Sequence, residues 1–222
     1  MSDPVGTARR PVTRWCDGKL QPETDLLAIE TPVALEFNGI SHAVMLATPT
    51  ELEEFALGFA LSEEIIAGRG EFRGAEVSTG TMGITVHCEI APNAFFKLKQ
   101  KRRSMTGRTG CGLCGTESLE QVIRTPKKLA GTATIRAASI DAALNALSTR
   151  QPLTRLTGGL HAAGWSDEQG RLQQVCEDVG RHNALDKLIG KMAVQGLDFQ
   201  GGFLVISSRA SVFFCCSFVS ML

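Results

Sequence analysis

The sequence LLAIETPVALEFNGISHAVMLA (residues 26–47) holds two apolar runs, rich in β-forming residues, on either side of a turn dipeptide. That dipeptide is Asn38-Gly39, which suits a type I′ turn because both central residues of such a turn need positive φ. Residues 26–47 therefore predict a β-hairpin. The apolar residues that follow recur at i, i+3, i+4 and i+7, a spacing that predicts a helix from Leu52 to about Ile66.

Further along the chain, the same kind of patterning predicts strands and helices in alternation. Residues 84–90 alternate apolar and polar side chains, which predicts a half-buried strand with Cys88 facing inward. Residues 93–103 predict a short helix, and residues 160–165 and 172–177 predict two strands that flank a turn. A helix through residues 185–192 and a short buried strand at 203–207 follow. The order of hairpin, helix and strand predicts an α/β fold.

The chain divides into four segments by composition. Residues 1–24 contain three prolines and several arginines without apolar periodicity, so we expect a loose, flexible N-terminal arm with order beginning near Asp25. Residues 25–103, which contain the predicted hairpin and first helix, are expected to form the N-terminal part. Residues 104–115 form a mobile loop rich in glycine and cysteine, and residues 116–222 form a second, α/β part.

Composition and charge narrow the function classes. The chain has 222 residues, of which 23 are Lys or Arg and 23 are Asp or Glu, so its formal net charge is zero. No bulk charge draws nucleic acid or an anionic membrane to it, and we expect neither as a partner. We find no secretory signal and no apolar run of the ~20 residues that a membrane-spanning helix needs, and so expect a cytoplasmic protein.

The strongest chemical signal is the loop GCGLCG (residues 110–115). Seven cysteines, an odd number, indicate reactive or metal-binding thiols in a reducing compartment rather than a disulfide framework. A thiol attacks as its thiolate, and nearby positive charges favour that form by lowering the pKa. At this spacing, one sulfur of Cys111 and Cys114 can attack a group carried on the other. The nearby cationic residues are Lys97, Lys99, Lys101, Arg102, Arg103 and Arg108.

The loop admits three other interpretations. Its glycines match G-x-G-x-x-G, but no predicted strand precedes them, which argues against a dinucleotide-binding loop. A structural zinc site needs a second cysteine pair of this spacing, and the sequence offers none. The third is a zinc-dependent nucleobase deaminase, with His87, Cys111 and Cys114 as ligands and Glu89 as the proton shuttle. Because His87 and Glu89 alternate with apolar residues along a predicted strand, they are preferably interpreted as part of its solvated face. We therefore expect no tightly bound metal.

A second polar constellation, EDVGRHN, occupies residues 177–183, where a strand turns into a helix. Backbone N–H groups at such a junction favour anions, so Arg181 and His182 are candidates to contact a phosphate, while Asp178 can cap the helix. An equally good interpretation is structural, as a capped turn with a satisfied ion pair. His161, which follows a pair of glycines, is a candidate to line the same cleft.

Four segments together resemble the formate dehydrogenase accessory sulfurtransferases, the FdhD family. They are RTGCGLCG (residues 108–115), TGGLHAA (157–163), EDVGRHNALDK (177–187) and SSRAS (207–211), in the family's order. Several motifs in one order are far more specific than any one of them. The resemblance covers roughly residues 26–211.

This resemblance implies a sulfur carrier, or sulfurtransferase, that takes persulfide sulfur from a cysteine desulfurase. The sulfur passes to the molybdenum cofactor, a bound substrate in its bis-guanine-dinucleotide form, before formate dehydrogenase receives that cofactor. By position, Cys111 is the expected persulfide carrier and Cys114 its partner. Cofactor contacts are expected at Arg108, His161, Arg181, His182 and Arg209. The family also implies a cytidine deaminase-like α/β part after the α+β part, and a homodimer.

The sequence departs from the family pattern after Ser211, where it reads VFFCCSFVSML and stops. Members of the family continue with further elements, so we expect a C-terminally truncated second part. An uncharged, β-prone apolar segment of this kind is an aggregation hazard.

Overall fold

A computed structural model of the chain describes residues 3–105, 134–197 and 199–210. Its strands are β1 (Thr7–Cys16), β2 (Lys19–Ala28), β3 (Thr31–Phe37), β4 (Ile40–Ala47), β5 (Phe72–Gly80), β6 (Gly83–Ile90), β7 (His161–Asp167), β8 (Leu172–Asp178) and β9 (Gly202–Ile206). Its helices are α1 (Leu52–Ser62), α2 (Pro92–Met105), α3 (Ala137–Thr149), α4 (Pro152–Thr157) and α5 (Arg181–Gln195). This mixture of helices and sheets confirms the predicted α/β class. Most of the predicted cysteine loop, from residue 106, and the segment after residue 210 lie outside the described residues.

Strands β1 and β2 form a two-stranded antiparallel ribbon from residue 7 to residue 28. The prediction of a loose arm before Asp25 was therefore wrong. Most side chains of the ribbon are exposed, so its strands lack the apolar alternation that identified the others. The turn did carry a readable signal, because Asp17 and Gly18 adopt positive φ (50° and 77°), as an Asp-Gly hairpin turn requires.

The predicted hairpin is confirmed as β3 and β4, which belong to a four-stranded sheet in the order β4-β3-β6-β5. Asn38 and Gly39 form its turn with φ of 45° and 79°, the positive values that this dipeptide favours. Strand β6 lies parallel to β3 and antiparallel to β5. As predicted, Cys88 on β6 is buried, whereas His87 and Glu89 lie on the opposite, exposed face.

Strands β7, β8 and β9 form a second sheet, entirely antiparallel, in the order β8-β7-β9. The two strands predicted around a turn are confirmed as β7 and β8. The last predicted strand is confirmed as β9, but its expected burial was wrong, since only Val205 is buried. The reason is its position at an edge of the described sheet.

Helices α1 and α5 lie between the two sheets and join them. Helix α1 packs on β5 and β6, α5 packs on β7 and β8, and the two helices pack on each other. A Cβ atom at Gly58 would lie 1.7 Å from the backbone oxygen of Asp186, and one at Gly190 would lie 1.8 Å from that of Glu54. Only glycine permits so close a crossing. One apolar core therefore extends through both sheets, and α3 covers the far face of the three-stranded sheet.

Helix α1 is shorter than predicted. It ends at Ser62, and Glu64 adopts φ of 55°, a left-handed conformation in which an α-helix does not continue. The described part of the chain has no helix with the length and apolar character needed to cross a membrane.

Candidate functional site

Three of the four sequence motifs meet at one end of the three-stranded sheet, here called the motif end. His161, the first residue of β7, is the register partner of Asp178, the last residue of β8. On the other side of β7, Ser207 follows β9 and forms two hydrogen bonds with Ala162. The N–H of Ser207 donates to the Ala162 oxygen (3.0 Å), and the N–H of Ala162 donates to Ser207 Oγ (2.8 Å). The predicted contact residues that this pairing brings to the motif end are His161, Arg181, His182 and Arg209.

A buried carboxylate, Asp178, fixes the turn from β8 to α5. Its Oδ1 accepts hydrogen bonds from the N–H of Gly180 (2.8 Å) and from the side-chain amide of Asn183 (2.9 Å). Its Oδ2 accepts the N–H of Thr48 (3.0 Å) and forms an ion pair with Lys187 Nζ (2.7 Å); both charged side chains are 0% exposed. The satisfied ion pair of the structural interpretation is therefore present. The prediction that Asp178 caps α5 was wrong. The N-cap residue of α5 is Gly180, and no side chain caps the helix.

Lys187 connects this turn to the segment between β4 and α1. Its ammonium group also donates to the backbone oxygen of Thr48 (2.9 Å) and to Thr50 Oγ1 (3.1 Å). The N–H of Val179 donates to Thr48 Oγ1 (3.1 Å). Buried charges are tolerated when they are paired and hydrogen-bonded, and this network meets that condition. Sequence reasoning missed Thr48 and Thr50 because Lys187 contacts them across 139 and 137 residues of chain.

The N-termini of α4 and α5 differ in how their N–H groups are used. The carboxylate of Glu177 accepts the N–H groups of Leu153 (3.0 Å) and Thr154 (2.7 Å) in the first turn of α4. A negative charge is stabilised there by the unpaired N–H groups and by the helix dipole. The first turn of α5 holds no acidic residue and begins with Arg181 and His182. It therefore presents positive charge without a carboxylate of its own.

The two basic residues at the start of α5, Arg181 and His182, are suited to an anion. Arg181 Nε is buried and has no hydrogen-bond partner among the described residues. A buried donor without an acceptor is costly, so a ligand oxygen there is favourable. Burial and the positive charge of Arg181 lower the pKa of His182, and the negative charge of Glu63 opposes this. Near pH 7 the imidazole is therefore mostly neutral, with one nitrogen that donates and one that accepts.

Asp186 places a protonatable carboxyl group between α1 and α5. Ser62 Oγ donates a hydrogen bond to Asp186 Oδ1 (2.7 Å). Burial raises the pKa of Asp186 to about 8; the Ser62 hydrogen bond lowers it, and the negative charges of Glu63 and Asp178 raise it. Asp186 is therefore largely protonated near neutral pH. Sequence reasoning missed this group, although an Asp amid the apolar positions of a helix was a signal.

The cysteines of the described residues are unlike the predicted pair. Cys111, Cys114 and Arg108 lie outside the described residues, so their roles stay predictions. Burial raises the pKa of Cys88 to about 12 and also raises that of Cys176. Thiols that hold their proton are poor nucleophiles, which makes both buried cysteines structural at neutral pH.

His87 and Glu89, which the deaminase hypothesis would use, occupy the exposed face of the four-stranded sheet. Glu89 pairs with Arg73 (3.4 Å), and His87 hydrogen-bonds to Glu36 and Ser78. The preferred interpretation, a solvated strand face, is confirmed. Within residues 3–105, 134–197 and 199–210, no three His, Cys, Asp or Glu side chains are grouped as metal ligands would be.

Residues 28–215 match the FdhD/NarQ family, a span that includes both sheets and all four sequence motifs. The chain belongs to the FdhD/NarQ family. This bears out the resemblance drawn from the four motifs.

Relatives in the FdhD/NarQ family match most of this chain. The sulfur carrier protein FdhD of Cupriavidus necator is 52% identical over 200 residues, which are 90% of this chain and 69% of that protein. The protein of the same name from Bordetella bronchiseptica is 52% identical over 202 residues, 90% of this chain and 73% of its own length. That of Chromobacterium violaceum is 50% identical over 209 residues, or 93% and 77%.

A solved structure shares the fold of this FdhD/NarQ chain. It is the crystal structure of a candidate formate dehydrogenase accessory protein from Desulfotalea psychrophila, with a TM-score of 0.69 over 98% of this chain and 80% of that one. The two sequences are 22% identical, so the likeness concerns the fold alone.

Proposed function

We propose that this FdhD/NarQ chain is a sulfur carrier in the maturation of formate dehydrogenase. The observation that carries the proposal is the family match over residues 28–215, together with relatives that are about half identical and are named sulfur carrier proteins. The matched span contains Cys111 and Cys114 between glycines, downstream of a basic cluster.

In the proposed reaction, the thiolate of Cys111 attacks the terminal sulfur of a persulfide on a cysteine desulfurase. The donor's sulfur–sulfur bond breaks, its cysteine leaves as a thiolate, and Cys111 becomes the persulfide. In the delivery step, the thiolate of Cys114 attacks the Cys111 sulfur, the persulfide bond breaks and a Cys111–Cys114 disulfide forms. The outer sulfur leaves at the sulfide level and passes to the substrate, the molybdenum cofactor in its bis-guanine-dinucleotide form. Cys114 is the assisting thiol.

The described cysteines support the choice of Cys111 by contrast. A sulfur acceptor must reach the donor's persulfide as a thiolate. Cys88 and Cys176 are buried and their pKa values are raised, so they meet neither requirement. Cys16 on the ribbon is exposed and is the natural control.

We assign the grip on the guanine-dinucleotide substrate to the motif end, because that substrate carries phosphates. Helix N-termini with basic side chains bind phosphates, and α5 begins with Arg181 and His182 and has no acidic residue in its first turn. The unpartnered Nε of Arg181 supports this assignment. His161 and Arg209 lie at the same end of the sheet, and Arg108 is proposed to act from the cysteine loop.

The proposed partners are a cysteine desulfurase, formate dehydrogenase and a second copy of this chain. Thiols that accept persulfide sulfur must start reduced, which is the state that the cytoplasm maintains. The cytoplasm is therefore the proposed location.

The proposal is tested by mass spectrometry of cysteine-containing peptides after the full chain is incubated with a cysteine desulfurase and cysteine. We expect one additional sulfur, removable by dithiothreitol, on the peptide that contains Cys111. Cys111→Ala should abolish that gain. Cys16→Ala, which removes an exposed thiol far from any motif in sequence, is the matched control and should leave it unchanged.

Two results would contradict the proposal. One is sulfur loading that persists in Cys111→Ala at the wild-type level. The other is loading of Cys16 in preference to Cys111 in the wild-type chain, since that would mean that exposure alone decides which thiol reacts.

A further inference from the structure

A serine, a histidine and a glutamate share the exposed face of the four-stranded sheet, on three neighbouring strands. Glu36 on β3 is the register partner of His87 on β6. Ser78 on β5 is the partner of Thr85, two residues before His87, and so lies diagonally across from the imidazole. Directly opposed and diagonal residues on one face of a sheet are within reach of each other's side chains.

The imidazole of His87 links the other two side chains. Its Nε2 lies 2.8 Å from Ser78 Oγ, and its Nδ1 lies 3.3 Å from Glu36 Oε1. Glu89, on the same strand, is paired with Arg73 instead. One ring nitrogen on a hydroxyl group and the other on a carboxylate is the arrangement that activates serine nucleophiles, with a base that a third group orients.

Space for a small ligand adjoins the imidazole. A shallow groove of about 560 Å³ is lined by His87 and by the two glycines Gly39 and Gly74; Ser78 is not among its lining residues. A Cβ atom at either glycine would meet no other atom within 4 Å, so the backbone there is open to solvent. The imidazole side chain itself is 44% exposed, and the Glu36 side chain is 27% exposed.

We propose that Ser78 is a nucleophilic modification site for activated acyl or phosphoryl esters, with His87 as its base and Glu36 as a positioning residue. This site is separate from the sulfur-carrier chemistry. Ser78 Oγ attacks the electrophilic carbon or phosphorus as its proton passes to His87 Nε2. The bond to the leaving group breaks, and that group departs with the bonding electron pair. His87 then returns the proton to the leaving group or to water, and the ester on Ser78 remains.

A fluorophosphonate ester tests the proposal on the full wild-type chain. In that reaction the Ser78 oxygen–phosphorus bond forms, the phosphorus–fluorine bond breaks, and fluoride leaves. Peptide mass spectrometry should find the phosphonyl group on Ser78. Ser148 is the internal control, because it is exposed and, unlike Ser78, has no histidine nitrogen at its Oγ. Both hydroxyl groups lie within hydrogen-bond distance of a backbone oxygen, at 3.4 Å for Ser78 and 2.7 Å for Ser148. It should remain unlabelled.

Variants then separate the roles. General-base catalysis contributes about 10²-fold or more, so His87→Gln should slow Ser78 labelling at least that much. Glu36→Gln should slow it less, and Glu36→Asp should restore part of the rate, since a shorter carboxylate can still orient the ring. Labelling of Ser78 no faster than of Ser148 in the wild-type chain would overturn the proposal, whatever the variants do. Equal labelling rates in wild type and His87→Gln would overturn it as well.

Discussion

The β8–α5 turn and the exposed face of the four-stranded sheet each contain an ion pair, in opposite surroundings. In the turn, Asp178 and Lys187 are paired at 2.7 Å and 0% exposed. On the sheet face, Glu89 and Arg73 are 3.4 Å apart and 67% and 53% exposed. The first pair has lost its water and depends on protein partners. The second keeps its water and depends on little else.

The difference shows where polar residues stabilise the fold and where they remain accessible to react. Removing one residue of a buried ion pair leaves the other charge buried and uncompensated. An exposed ion pair contributes little to stability, because water can take the place of either residue. The network around Asp178 therefore fixes the motif end, where Arg181 and His182 begin α5. On the sheet face, Ser78 and His87 stay accessible to a reagent.

The largest effect is expected for Lys187→Met, which leaves the Asp178 carboxylate buried without its cation. Removing one partner of a buried pair costs about 3–5 kcal/mol of unfolding free energy. Equilibrium unfolding in urea measures this loss. Lys191→Met is the matched control one turn later, because Lys191 pairs with Glu51 while both side chains remain more than a quarter exposed (28% and 30%). The control should lose less than about 1 kcal/mol.

Equal losses in the two lysine variants would break the comparison between buried and exposed pairs. They would mean that the three hydrogen bonds to Asp178, from Thr48, Gly180 and Asn183, stabilise its charge without Lys187. A Lys187→Met chain that cannot be purified folded gives the same ranking by yield, provided that the Lys191→Met chain is obtained.

Sequence patterns predicted the elements whose two faces differ in burial. Strand β6 alternates strictly, and its buried positions, such as Cys88, were placed correctly. The β1–β2 ribbon was missed because its side chains are mostly exposed on both faces, so burial leaves no alternation in the sequence. Turn chemistry does not depend on burial, and Asp17-Gly18 carried the information that periodicity lacked.

The candidate site was predictable as a set of residues but not as a place. The motifs singled out His161 and Arg181, yet only the pairing of β7 with β8 and β9 brings them to one end of a sheet. Those contacts join distant parts of the chain, as with Ala162 and Ser207, which are 45 residues apart. Periodicity reports local structure and is silent on such pairs. The raised pKa of Asp186 was hidden for the same reason, since the burial that raises it comes from tertiary packing.

An effect of intermediate size is expected for Asp186→Asn, and it depends on pH. Burial raises the pKa of Asp186 from 3.8 to about 8, so the folded state holds this proton more tightly than the unfolded state does. The associated stability is present at acid pH and is lost as the pH rises from about 4 through 8. The asparagine variant cannot ionise at this position. Its unfolding free energy relative to the wild type should therefore increase across that pH range, by on the order of a few kcal/mol in total.

Urea unfolding of both chains at several pH values between 5 and 8.5 measures this difference. The test is the slope of the unfolding free energy against pH, because replacing the carboxyl group by an amide can also shift the whole curve by a constant amount. Ser62→Ala, which removes the hydroxyl group that donates to Asp186, should extend the loss of stability to higher pH, since that hydrogen bond lowers the pKa of Asp186. Parallel curves for wild type and Asp186→Asn would show that Asp186 is ionised in the fold.

The smallest effect is expected on the exposed sheet face for Glu89→Gln, which removes the pair with Arg73. Water replaces such a contact, so the unfolding free energy should fall by less than about 1 kcal/mol. A double-mutant cycle with Arg73→Gln isolates the interaction, and the coupling should shrink further as salt is raised, because exposed charges are screened. Coupling of several kcal/mol that persists in high salt would show that this face is held as rigidly as the β8–α5 turn. The accessibility argued for Ser78 would then need a different basis, since His87 lies beside Glu89 on the same face.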